Sequence, residues 1–71
     1  MFYDMLIHNE EFVFFYNGSK YEIVSENGRS LYRYENGESI FMQSFSGNEE
    51  LLREGQINGK TIADIINEIV V

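Results

Sequence analysis

The chain has 71 residues, with twelve Asp or Glu against five Lys or Arg, a net charge of -7, and neither Cys nor Pro. That length makes one domain, residues 1–71, which buries only roughly 60% of the surface its unfolded form exposes and has no disulfide or thiolate metal site to reinforce it. The charge repels phosphate backbones, so direct nucleic-acid binding is disfavoured, while it suits solubility and attraction to a basic protein.

Phe2, Met5 and Leu6 stand at i, i+3 and i+4, the spacing of one apolar helical stripe. A short helix ending near His8 and Asn9 is expected. An N-terminal strand competes with it, because Phe2-Tyr3 and Leu6-Ile7 also suit a sheet. No basic n-region or long apolar run occurs here, so no signal peptide or membrane span is read, and the expected location is cytoplasmic.

Phe12 to Val24 reads as a β-hairpin about Asn17-Gly18, since a two-residue type I′ turn needs positive φ at both positions. Phe14 then faces Tyr21 and Phe12 faces Ile23, while Phe15 meets Lys20 and Val13 meets Glu22 on the other side. The same dipeptide recurs at Asn27-Gly28 and Asn36-Gly37. Two-residue loops at both would set Ile23 against Tyr32, Tyr21 against Tyr34, and Tyr32 against Phe41. These registers make a four-stranded antiparallel meander with Phe12, Phe14, Tyr21, Ile23, Tyr32, Tyr34 and Phe41 on one face. They also place Glu22 across from Arg33 and Glu26 across from Arg29 on the opposite face. There Val13, Val24, Leu31, Ile40 and Met42 form an apolar row without a covering element. With Arg29 and Arg33 these five residues are the candidate interaction face.

Ser46-Gly-Asn-Glu49 has the spacing of a capping box and starts a helix carrying Leu51 and Leu52, with Gly55 as its stop. Ile57-Asn-Gly-Lys60 makes a further turn. Thr61, with Asp64 three residues on, caps a last helix whose Ile62, Ile65, Ile66 and Ile69 follow i, i+3, i+4, i+7. The expected fold class is α+β: the meander, a short N-terminal helix and two C-terminal helices, all packed on the aromatic face.

No residues carry a catalytic, cofactor or metal motif, and a non-enzymatic role is expected. His8 is the only histidine and has no ligand partners at metal spacing, while Glu10 and Glu11 would point to opposite faces of a strand. The glycines lack phosphate-loop spacing, and one histidine without a nucleophile elbow supports no hydrolase triad. Tyr32-Arg33-Tyr34 alternates aromatic and basic residues as a nucleic-acid stacking platform does, but both tyrosines belong to the expected core face.

The stretch Phe14-x-Tyr-Asn-Gly-x-x-Tyr-x-Ile23, followed by Ile57-Asn-Gly-Lys-Thr-Ile-Ala-Asp-Ile65, resembles small acidic proteins of Gram-positive bacteria and their phages that have no assigned activity. The resemblance implies an intracellular single-domain protein for which binding, not catalysis, is the expected role. Two functions follow as expectations. The first is a small interaction module that engages a protein partner, or itself as a homodimer, through the open sheet face. The alternative is an acidic inhibitor or nucleic-acid mimic of phage or mobile-element origin, presenting Glu35, Glu38, Glu49, Glu50 and Glu54 to a basic groove.

Overall fold

The computed structural model describes residues 1–71. In chain order it has α1 (Phe2–His8), β1 (Phe12–Tyr16), β2 (Ser19–Val24), β3 (Arg29–Glu35), β4 (Glu38–Phe45), α2 (Asn48–Glu54), β5 (Gln56–Ile57), β6 (Lys60–Thr61), α3 (Ile62–Ile65) and a 3₁₀ turn over Ile66–Glu68. The fold is α+β: β1-β2-β3-β4 form an antiparallel meander, β5 and β6 a separate short ribbon, and the helices pack on one face of the meander.

The N-terminal segment is a helix because Phe2 and Leu6, one turn apart, both reach the core. Phe2 meets Phe12 and Phe14 edge-on at centroid distances of 5.6 and 5.2 Å, and Phe14 stacks on Tyr21 at 5.2 Å. Such pairs add about 0.5–1.5 kcal/mol beyond their area burial. At the other end of α1, the backbone N–H and side-chain amide of Asn9 both donate to the Met5 carbonyl.

The β1-β2 hairpin has the expected register, with Phe12 opposite Ile23, Phe14 opposite Tyr21 and Tyr16 opposite Ser19. Asn17 and Gly18 supply φ of 51° and 82°. The next hairpin departs from expectation by one residue. Ile23 faces Leu31 and Tyr21 faces Arg33, so Leu31 enters the core while Tyr32 and Tyr34 turn to the opposite face. The same register brings Ser25 opposite Arg29, leaving Glu26, Asn27 and Gly28 as the connection.

Side-chain chemistry fits the slip. It puts Leu31, which has no polar atom in its side chain, in a fully buried position of the core. In the observed register both hydroxyls find carboxylates, Tyr32 donating to Glu26 at 2.8 Å and Tyr34 to Glu22 at 3.1 Å.

The β3-β4 hairpin starts as expected, with Tyr32 opposite Phe41, but a bulge then inserts Met42, after which Leu31 faces Gln43 and Arg29 faces Phe45. The bulge offsets the earlier slip, because it returns Phe45 to the core face against Leu51, Ile57 and Ile62. Two further details differ from the sequence reading. The N-cap of α2 is Gly47, and the carboxylate that reaches back is Glu50, which accepts from the Ser46 N–H at 2.9 Å. Gly55 ends that helix at a φ of -67°, so close packing is what requires glycine: a Cβ there would stand 2.6 Å from the Leu51 carbonyl oxygen.

Thr61 caps α3 as its spacing predicts, accepting from the Asp64 N–H at 3.2 Å. The last helix is shorter than the isoleucine stripe suggests, four α residues followed by the 3₁₀ turn. Ile62, Ile65 and Ile69 are buried and Ile66 is half-buried. Beyond Ile69 the chain extends along the outer edge of β1, where Val70 and Phe15 exchange both backbone hydrogen bonds, at 2.7 and 2.9 Å.

Candidate functional site: the open face of the sheet

Every sheet residue in the core cluster lies on the helix-bearing side, so the other side of the meander has no layer over it. Cross-strand pairing builds that open face in rows. One row runs Val13, Glu22, Tyr32, Phe41 across all four strands. Beside it, Val70 pairs with Phe15 and Phe15 with Lys20, and the Lys20 ammonium lies over the Tyr34 ring at 4.6 Å from its centroid. Tyr32 and Phe41 meet edge-to-face at 5.6 Å. Phe15 and Phe41 remain 45% and 55% exposed, values far above those of the core aromatics.

The candidate residues read from the sequence do not share this face. Val13 and Val24 lie on it, and the other five are displaced by the register slip and the bulge. Leu31 is in the core. Ile40 and Arg33 are paired with each other on the helix-bearing side, exposed at its margin, and Met42 is the bulged residue, packed against the core. Arg33 pairs with Glu35 at 2.7 Å, so the expected Glu22–Arg33 attraction is absent.

Arg29, expected opposite Glu26 on the surface, is buried. Its Nε donates to Asn48 Oδ1 at 2.7 Å, Nη1 to the Glu10 carbonyl at 2.7 Å and to Ser25 Oγ at 3.1 Å, and Nη2 to the carbonyls of Leu6 and of Asn9, the latter at 2.8 Å. The guanidinium thus engages the Leu6 carbonyl in the last turn of α1 and the Asn9 and Glu10 carbonyls just beyond it, and complements the negative pole of that helix. Burial lowers its pKa, and the nearby Glu10 charge partly opposes that shift.

A shallow depression of about 270 Å³ opens on the sheet face, with Glu11, Glu22, Glu26, Val24 and Tyr32 in its lining. No cation stands within ion-pair distance of those three glutamates, whereas Glu35, Glu49 and Glu54 all pair with arginines of the chain. The hydrogen bond to Glu26, reinforced by desolvation and by the Glu26 and Glu22 charges, raises the Tyr32 pKa above its ordinary value. A second cavity, of about 240 Å³, lies between α1 and the 3₁₀ turn and is lined mainly by Met1, Phe2, Tyr3, Ile66 and Ile69.

Phe15 was legible as an open-face residue, because the first hairpin alone sets it against Lys20. A two-residue loop at Asn27-Gly28 would put Tyr32, Tyr34 and Phe41 on the core face, whereas the longer connection puts them on the open one, and the edge pairing of Val70 has no local signal in the sequence.

No group of three or more His, Asp or Glu is placed to hold a metal ion, and no helix is long and apolar enough to cross a membrane. Comparison with family models, curated proteins and solved structures gave no match.

Proposed function

We propose that the protein is a small interaction module whose binding surface is the open face of its sheet. The observation that carries this reading is the uncovered row Val13, Glu22, Tyr32, Phe41, flanked by Phe15 and Val70, an aromatic surface on a sheet whose other side already holds the whole core. Aromatic side chains are enriched in protein interfaces because they offer large contact areas at low entropic cost, and clustered exposed ones mark interaction sites. The alternative, an acidic inhibitor or nucleic-acid mimic, is weaker on the residues first suggested for it. Glu35, Glu49 and Glu54 are matched to Arg33 and Arg53, and Glu50 is engaged by the Ser46 N–H, which leaves Glu38 as the one carboxylate of the five without a partner.

Affinity capture from the source cell tests the proposal, comparing wild type with Phe15→Ser/Phe41→Ser and with Ile40→Ser as an exposed apolar control on the other side. A protein retained by wild type and by Ile40→Ser but lost with the double variant is the expected result. Identical captured sets for all three would refute the open face as the binding surface.

A further inference from the structure

We infer that the occupant of the open face is a basic polypeptide segment that lays an arginine side chain into the depression formed by Glu11, Glu22 and Glu26. The inference rests on the reading of this face as a binding surface and adds the chemistry of the partner. Three features argue for it.

First, charge on this face is unbalanced in one direction. Glu11, Glu22 and Glu26 have no cationic partner in the chain, although every exposed arginine is paired elsewhere and the protein carries -7 overall. The orientation of Glu22 and Glu26 is fixed by the hydroxyls of Tyr34 and Tyr32, so two of the carboxylates are preorganised for a charge that the chain does not supply. Second, the face already accepts a cation on an aromatic ring, the Lys20 ammonium over Tyr34. A guanidinium stacks on aromatic rings and forks onto carboxylates better than an ammonium does, and its stem matches Val24 and the Tyr32 ring. Third, at about 270 Å³ the depression is smaller than the 300–1,000 Å³ typical of small-molecule pockets, and it is open to one side, which suits a single long side chain delivered by a chain crossing the sheet.

The same charges argue against a second copy as the occupant. A two-fold contact with its axis near Glu22 and Glu26 would set these carboxylates beside their own counterparts, and a contact anywhere on this face would bring together two chains of charge -7 with one lysine on each face, Lys20, to offset three glutamates.

The test uses three acetylated, amidated peptides, Gly-Arg-Gly-Arg-Gly, Gly-Leu-Gly-Leu-Gly and Gly-Glu-Gly-Glu-Gly, titrated into the isotopically labelled full chain and followed by amide chemical shifts. The arginine peptide is expected to shift Glu22, Val24 and Tyr32, to weaken as salt rises, and to lose about tenfold in affinity with Glu22→Gln/Glu26→Gln, the scale on which close interfacial charge pairs act. Those glutamines keep acceptors for Tyr34 and Tyr32, so the fold is preserved. Glu35→Gln/Glu38→Gln, which removes the same charge from the β3-β4 turn, is expected to change affinity less than about twofold. An equal loss in both double variants would show attraction to net charge alone and overturn the site. Preference for the leucine peptide on this face would overturn the basic partner while leaving the interaction module standing. If no peptide shifts the face while the capture experiment still identifies it as the binding surface, the inference fails and the proposed function survives.

Discussion

The Asn17-Gly18 and Asn27-Gly28 turns have the same dipeptide and nearly the same asparagine geometry, with φ of 51° and 50°, yet they connect their strands differently. The first is a self-contained two-residue loop, with nothing within 4 Å of the place where a Gly18 Cβ would stand. The second is one residue longer and lies against the end of β4, where a Gly28 Cβ would come 2.2 Å from the Phe45 carbonyl oxygen. Asn-Gly therefore reports the sign of φ and the existence of a turn. Loop length is decided by what the flanking residues meet, here the buried carbonyl cluster that receives Arg29 and the core position that takes Leu31.

The sharpest test of that difference is glycine replacement at the two turns. Gly28→Ala places a methyl group against backbone at a φ of 115° and is expected to cost on the order of 4 kcal/mol or more, enough to unfold most of a domain this small. Gly18→Ala meets open space and should lose only the roughly 1–2 kcal/mol of a left-handed residue, read from urea midpoints. Equal losses would remove the distinction between the turns.

Next in size, Leu31→Ala should cost about 2–5 kcal/mol, as for a fully buried leucine, while Ile40→Ala, on the exposed margin, should stay within about 0.5 kcal/mol. A reversed order in thermal or urea unfolding would restore the two-residue loop and the face first expected from it. Arg29→Lys retains the charge but loses the planar fork that serves Leu6, Asn9, Glu10, Ser25 and Asn48, for an expected loss of about 2 kcal/mol. A neutral result would mean that the second turn is not held by this cluster.

The smallest effect concerns Tyr32. Its hydrogen bond to Glu26 raises the folded pKa, so this contribution to stability is whole below the ordinary tyrosine value of about 10 and fades as the pH climbs through the raised one. Tyrosinate absorbance should accordingly contain a late-titrating Tyr32 component in the wild type, which Glu26→Gln should move back toward the ordinary tyrosine value.

The elements themselves were legible, because each rests on local chemistry: the Phe2-Leu6 stripe, the Asn-Gly turns, and Thr61 three residues before Asp64. So was the first hairpin in full. The open face was only partly legible, since its membership depends on two events that local patterning does not encode. A one-residue lengthening at Asn27-Gly28 moves Leu31 inward and Tyr32 and Tyr34 outward, and a bulge at Met42 restores Phe45 to the core. Both are settled by tertiary contacts between residues far apart in the chain, which a pattern read along one strand does not contain.

The Arg29 cluster also has a kinetic consequence. Its carbonyl partners belong to α1 and the following loop, its amide partner Asn48 begins α2, and Asn48 in turn donates to the Leu6 carbonyl across 42 positions of sequence. Such a cluster closes only when both ends of the meander have arrived, after the local hairpins have formed. Its interactions are expected to be nearly absent at the folding barrier, so Arg29→Lys should speed unfolding and leave the folding rate almost unchanged in stopped-flow experiments. The guanidinium then acts as a latch: it sets how long the folded chain persists and contributes little to how quickly that chain is reached.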